Sequence, residues 1–359
     1  MEKLAALAVD YCLGVTKGKT VGITGLDVAK PLLQQLYRRV LIKGGHPIVR
    51  CNLDGLAEQL FSVGSDEQIT YESPFLKFFM KEIESLIVIH AETNLKKLSN
   101  VPPEKIRRKE ASQREIMKLY ASHAKIGGLS IIPYPTEAFA QEAEMSLLEY
   151  EDFVEKACFL DKPDPVKEWK NLSKNQKQAV NRLNKAETMH FIGEDTDLKL
   201  KVRGRTWVNC DGHVNMPDGE IFTGPIEDSA EGQIRFTYPG IYKGREVEDI
   251  TLTFKKGKVV NAKAGKGQEF LEQILKTDPG AKRIGEISIG TNQGIKRFTK
   301  NMLFDEKMGH CIHLALGRSI AMSGGKNQSV IHWDILKDMT TGEVYADEEL
   351  IYKKGKITI

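Results

Sequence analysis

The chain has 359 residues, with 52 lysines and arginines against 49 acids for a net charge of +3, and is 41% hydrophobic and 28% charged. That length exceeds what one small core organises and predicts two domains. The near balance of charge gives a nucleic-acid partner no footing, and no run is long and apolar enough to predict a membrane span. The start, Met1 to Asp10, has an amphipathic helical pattern with early acid, unlike the basic and apolar blocks of a signal peptide. Cysteines at 12, 51, 158, 210 and 311 form no Cys-x-x-Cys pair, and their odd number predicts a reducing, cytoplasmic setting.

The first half alternates strand-like and helix-like runs. Thr20 to Gly25 reads as a strand ending in a turn. Ala29 to Lys43 follows with Leu32, Leu33, Leu36, Val40 and Leu41 at helical spacing, and Gly44-Gly45 stops it. Pro47 to Cys51, Leu86 to Ile89 and Leu129 to Ile132 read as further buried strands, so the pattern predicts an open parallel sheet with crossover helices. Gly22-Ile23-Thr24-Gly25, with Asp54 after the next strand, invites a dinucleotide reading. It lacks the third glycine that close backbone approach to a pyrophosphate requires, and ordinary turn chemistry is preferred. The basic run Lys105 to Lys109 reads as a solvated face. Ser146 and Glu149 have capping-box spacing for a helix to about Phe159, Asp161 to Pro165 breaks the chain, and Trp169 to Glu187 reads as another helix. A domain boundary near Thr188 divides the chain into 1–188, an α/β domain, and 189–359.

Beyond it the rhythm is that of antiparallel strands. Leu198 to Val202 and Asp249 to Phe254 alternate apolar and polar residues, and Lys255-Lys256-Gly257-Lys258 predicts a hairpin. One helix, Gln268 to Lys276, interrupts, so this half is α+β with a mostly antiparallel sheet. It also gathers the groups able to hold metal. Period-two alternation places Val330, His332 and Asp334 on one strand face and Ile331, Trp333 and Ile335 on the other. Same-face residues lie about 7 Å apart along a strand, so the imidazole and carboxylate can converge on one cation or on two close ones. Glu220 after the Pro217-Asp218-Gly219 turn, Glu286, Glu306 and His313 also sit in or beside apolar runs, where an unpaired charge is costly. Four carboxylates and two histidines suit a pair of divalent ions, whose combined +4 charge needs several acids to balance it. Cys311 reads as a buried structural thiol, His310 as a lone exposed histidine and Lys326 as an exposed lysine after a glycine turn.

Asn215 to Pro225, Arg283 to Glu286, Phe304 to Glu306, His313 to Gly317 and Ile331 to Asp334 resemble the metallo-aminopeptidase family that includes aminopeptidases T and S. Pro135 to Ala140 and Met145 to Glu151 extend the resemblance through the first domain, so that it covers nearly the whole chain. The resemblance implies that Glu220, Glu286, Glu306, His313, His332 and Asp334 hold two divalent ions, cobalt or zinc before magnesium or manganese. It further implies that a hydroxide on those ions attacks the N-terminal bond of peptide substrates, and that the enzyme is a homodimer enclosing its active sites. The chain departs from the family twice. Ile320 stands seven residues after His313, where the family carries a tyrosine, and the spacing from Glu306 to His313 is longer. Two other readings stand beside the aminopeptidase. One is a mononuclear ferrous dioxygenase of the dihydroxypyridine ring-opening type, using His313, His332 and Asp334 as a two-histidine, one-carboxylate triad. The other is a non-catalytic binding relative.

Overall fold

Three of the four apolar runs in the first half become buried strands, and the fourth closes an edge. In the computed structural model, which describes residues 1–359, β1 (Thr20–Leu26), β2 (His46–Asn52), β3 (Ser85–His90) and β4 (Leu129–Pro133) form one parallel sheet. The strand order is β2-β1-β3-β4. Strand β2 is paired on one side only, and Ile48 and Val49 are exposed, contrary to the expectation of a buried strand. Helix Lys30–Ile42 buries Leu32, Leu33, Leu36 and Val40, while Leu41 on the same predicted stripe faces solvent. The capping box forms: the Glu149 amide donates to Ser146 Oγ (3.3 Å), the Ser146 amide donates to Glu149 Oε2 (2.8 Å), and helix Leu147–Ala157 follows.

The glycines considered for a nucleotide loop are packing residues. A Cβ at Gly22 would lie 2.8 Å from both Ile83 and Phe79, and one at Gly25 would lie 3.0 Å from Ile89. Asp54 is engaged by the Thr93 hydroxyl and by Lys97 Nζ at 3.1 Å.

By packing, one compact unit comprises Met1–Val166 with Gly212–Pro217, and the other Lys167–Asp211 with Asp218–Ile359. The boundary expected near Thr188 lies beyond helix Pro165–Leu183, which buries Ala179, Val180 and Leu183 in the core of the second unit. Segment Gly212–Pro217 returns to the first unit, where Ile131 donates to the Val214 carbonyl at 2.7 Å.

The second unit is built from β5 (Thr188–Gly193), β6 (Thr196–Lys201), β7 (Val208–Cys210), β8 (Glu220–Thr223), β9 (Glu231–Arg235) and the short pair β10 (Gly240–Tyr242) and β11 (Arg245–Val247). There follow β12 (Thr251–Lys255), β13 (Lys258–Lys263), β14 (Ile284–Gly290), β15 (Cys311–Gly317), β16 (His332–Asp338), β17 (Glu343–Ala346), β18 (Glu349–Lys353) and β19 (Lys356–Ile357). Eight strands form one antiparallel sheet in the order β13-β12-β9-β6-β5-β17-β18-β19, and five form a second in the order β16-β15-β14-β8-β7. The β12–β13 turn places Lys256 and Gly257 at positive φ, and the expected helix spans Gln268–Leu275. One apolar core draws on both sheets. The five-stranded sheet contributes Ile287, Ile289, Ile312, Leu314, Leu316, Trp333 and Ile335, which leaves its other face for polar groups.

Candidate metal centre

That other face carries most of the acids and both imidazoles because alternation sends every second residue of four adjacent strands to it, and Glu306 joins them from the end of the Met302–Asp305 helix. In β15, Ile312, Leu314 and Leu316 enter the core, and His313 and Ala315 face the opposite way. The register sets Asp334 of β16 and Glu286 of β14 directly opposite Ala315, on either side of it. The short alanine side chain leaves space between the two carboxylates. His332 lies opposite Gly317, Ser288 opposite His313, and Glu220 of β8 opposite Gly290.

Glu286 reaches this face through a β-bulge. Ile284 pairs with Leu316 on the core side, yet Glu286, two residues on, pairs with Ala315 on the site side. Gly285 absorbs the extra residue, as bulges beside functional sites do to re-aim a side chain. Its backbone passes so close to the neighbouring strand that a Cβ there would lie 2.3 Å from the Gly317 carbonyl oxygen and 2.6 Å from that of Arg318.

All six residues expected to hold metal converge. Glu220, Glu286 and His313 form one set, Glu286, His332 and Asp334 a second, and Glu306, His313 and Asp334 a third, with ligand atoms in each set within 4.8 Å of one another. His313 Nε2 lies 3.1 Å from Glu286 Oε1, 3.6 Å from Glu220 Oε2 and 3.7 Å from Asp334 Oδ1. His332 Nε2 lies 3.4 Å from Asp334 Oδ1 and 3.8 Å from Glu286 Oε2. His332 Nδ1 is 2.7 Å from the Arg318 carbonyl; donation there fixes the ring and leaves Nε2 facing the acids. Ser288 Oγ donates to Glu220 Oε2 at 2.7 Å and orients that carboxylate.

The electrostatics fit a site for cations. Burial pushes the Glu286 carboxyl above its ordinary value, against the opposing pull of His313. Burial opposes charge on His332 and His313, but the surrounding carboxylates prevail and lift both imidazoles, His332 to about 9. Asp334, despite its burial, is held down to about 2 by His332 and then by His313. Carboxylates that raise the proton affinity of the neighbouring imidazoles form a donor set rich in negative charge. Glu286 Oε2 and Asp334 Oδ1 are buried without a hydrogen-bond partner, a costly state that bound cations relieve.

His310 belongs to none of these sets; its Nε2 lies 3.4 Å from the Tyr238 hydroxyl and 3.9 Å from Asp338. Cys311 is buried, as expected for a structural thiol, and burial raises its pKa. Lys326 is exposed, and Ile320 stands half-exposed at the start of the Ala321–Ser323 turn. Sequence reasoning passed over Ser288, although the alternation Glu286, Ser288, Gly290 carries the signal. It also passed over Lys307, which is wholly buried among the acids: its ammonium touches Glu306 and lies 3.6 Å from Glu220 Oε1. A lysine following a glutamate carries no sequence signal of burial.

The family model described as thermophilic metalloprotease (M29) matches residues 1–357. The chain is 28% identical to aminopeptidase 2 of Geobacillus stearothermophilus, over 99% of this chain and 97% of that protein. Aminopeptidase T of Thermus thermophilus is 26% identical, over 100% of this chain and 96% of that protein. With aminopeptidase AmpS of Bacillus subtilis the identity is 34%, across a segment that takes in 60% of each chain. The solved structure of wild-type AmpT from Thermus thermophilus shares the fold, with a TM-score of 0.86 at 24% identity over 100% of this chain and 98% of that one.

Proposed function

Because the chain belongs to the thermophilic metalloprotease (M29) family, we propose that it removes N-terminal residues from peptides at a centre that holds two divalent ions. The observation that carries this reading is the double membership of Glu286, which joins one set with Glu220 and His313 and another with His332 and Asp334. One carboxylate shared by two sets is the arrangement that bridges a pair of cations, and four converging acids exceed what a single two-histidine, one-carboxylate ferrous site uses. In this reading Glu220, Glu286 and His313 would hold one ion, Glu286, His332 and Asp334 would hold the other, and Glu306, grouped with His313 and Asp334, would complete the set. Divalent ions bound there would supply Lewis-acid polarisation of the scissile carbonyl and would lower the pKa of a bound water.

The chain's own groups do the remaining work. The Arg318 carbonyl fixes His332, Ser288 fixes Glu220, and the four carboxylates offer an acceptor for the proton released as water becomes a nucleophile. Oxygen and nitrogen donors favour cobalt or zinc, with magnesium and manganese as the harder alternatives. No helix is long and apolar enough to cross a membrane. We place the enzyme in the cytoplasm as a homodimer, on the resemblance and on its five unpaired cysteines.

The test is release of amino acids from aminoacyl amides and short peptides. Chelation abolishes it, cobalt or zinc restores it, and saturated protein holds two ions per chain. Full turnover by metal-free protein, or full turnover with one ion per chain at saturation, overturns the two-ion mechanism.

A further inference from the structure

Lys307 puts an ammonium group inside the acidic cluster, and its side chain is wholly buried. Its backbone is pinned on both sides: the Lys307 amide donates to the Phe304 carbonyl at 3.0 Å, and the Asn292 amide donates to the Lys307 carbonyl at 3.0 Å. The side chain therefore has a fixed origin and runs inward. No hydrogen bond satisfies its ammonium, whose partners are instead the carboxylates of Glu306, in direct contact, and Glu220, with Oε1 at 3.6 Å. Those two acids belong to the sets built around His313, whereas the set of Glu286, His332 and Asp334 contains neither.

We propose that Lys307 is a built-in counter-cation that makes the two metal positions unequal, leaving the Glu286–His332–Asp334 position tight and weakening the one around Glu220, Glu306 and His313. The inference rests on the two-ion reading above and deepens it. While the bound water keeps its proton, four carboxylates carry four negative charges and two divalent ions four positive ones, so two ions alone balance the acids. A fifth positive charge fixed against Glu220 and Glu306 makes the second ion compete for carboxylates already neutralised, in a region too buried for water to screen the repulsion. Lys307 is a positioning residue in this account. With its side chain at 0% exposure it does not reach substrate.

The experiment titrates metal-free protein with cobalt or zinc, read by calorimetry and by cobalt absorption, and needs no turnover. Wild type takes up ions in two separated steps. Lys307→Met and Lys307→Gln bring the second step closer to the first by about 10- to 100-fold in affinity, the range over which groups beside metal ligands act, with the first step much less affected. Lys307→Arg, which keeps the charge, keeps the separation. Two steps of equal affinity in wild type overturn the proposal without recourse to any variant. So do neutral variants that remain folded by circular dichroism and bind the second ion no more tightly than wild type, which would make Lys307 a structural ion-pair partner only. Failure of the underlying reading looks different: wild type then binds no ion, or His332→Ala leaves stoichiometry unchanged.

Discussion

Gly285→Ala is the smallest change that tests how the centre is built, because it adds one methyl group and removes no donor. The added Cβ would stand 2.3 Å from the Gly317 carbonyl oxygen, where ordinary contact begins at 3.4 Å, so the strands must part by the difference, about 1 Å. Both obstructing atoms are backbone, and neither yields by rotating a side chain. The displaced strand carries Glu286, and the second obstructing carbonyl, that of Arg318, is the one that orients His332. Metal–ligand distances tolerate about 0.2 Å, so a 1 Å shift disturbs both proposed positions together. Overpacking of this kind costs roughly 1–3 kcal/mol, so the variant should fold with a melting temperature lowered by several degrees. Metal affinity should fall by at least about 10- to 100-fold, and peptide turnover with it. Gly193→Ala is the control, since its added Cβ comes no nearer than 3.2 Å to Lys337 Cε and 3.9 Å to the Gly342 Cα, a far milder contact away from the acids. Calorimetry for the melting temperature and metal analysis after dialysis read the outcome. A Gly285→Ala protein with wild-type metal content and rate refutes the claim that the bulge aims Glu286.

Three further outcomes are expected. His332→Ala and Asp334→Ala should each abolish turnover with the fold intact by circular dichroism, and near-normal rates with normal metal content would remove both from the ligand set. Ile320→Tyr should raise kcat by about 10²–10³-fold with little change in metal affinity, by supplying a hydroxyl to the carbonyl oxygen; a fast wild type slowed by the substitution would mean that the site is built around an apolar wall. Asp278 accepts from the Ser329 hydroxyl and from the Val330 and Ala281 amides, each at 2.9 Å, and these bonds outweigh its partial burial to hold its pKa below the ordinary 3.8. A depressed carboxylate stabilises the fold above its unfolded pKa and loses that contribution as pH falls through the folded one. Asp278→Ala should therefore cost about 0.5–2 kcal/mol at neutral pH and progressively less below pH 3.8, by urea denaturation; a cost that does not shrink in acid would show that the charge plays no part.

The strands were legible wherever one face is apolar and the other polar. Trp333 and Ile335 enter the core while His332 and Asp334 face away, as their period of two requires. Segment 46–52 has the composition of a buried strand yet lies at an edge, because composition does not report how many neighbours a strand acquires. Helix Pro165–Leu183 follows the last elements of the first unit in sequence but packs with the second, a choice made by the partner of its apolar stripe and not by the stripe itself.

Within the site, the six candidate donors could be named because carboxylates and imidazoles beside apolar runs are conspicuous, whereas the devices that aim them are written in unremarkable residues. Gly285 is a bulge only because Gly317 and Arg318 pass against it, and Ala315 matters only because two acids flank it. The Arg318 contribution comes from its backbone, which no side-chain pattern encodes. The polar face of the five-stranded sheet is thus specified twice, once by alternation along each strand and once by the register between strands. The single bulge at Gly285 is what lets Ile284 remain in the core while Glu286, two residues later, joins the acids.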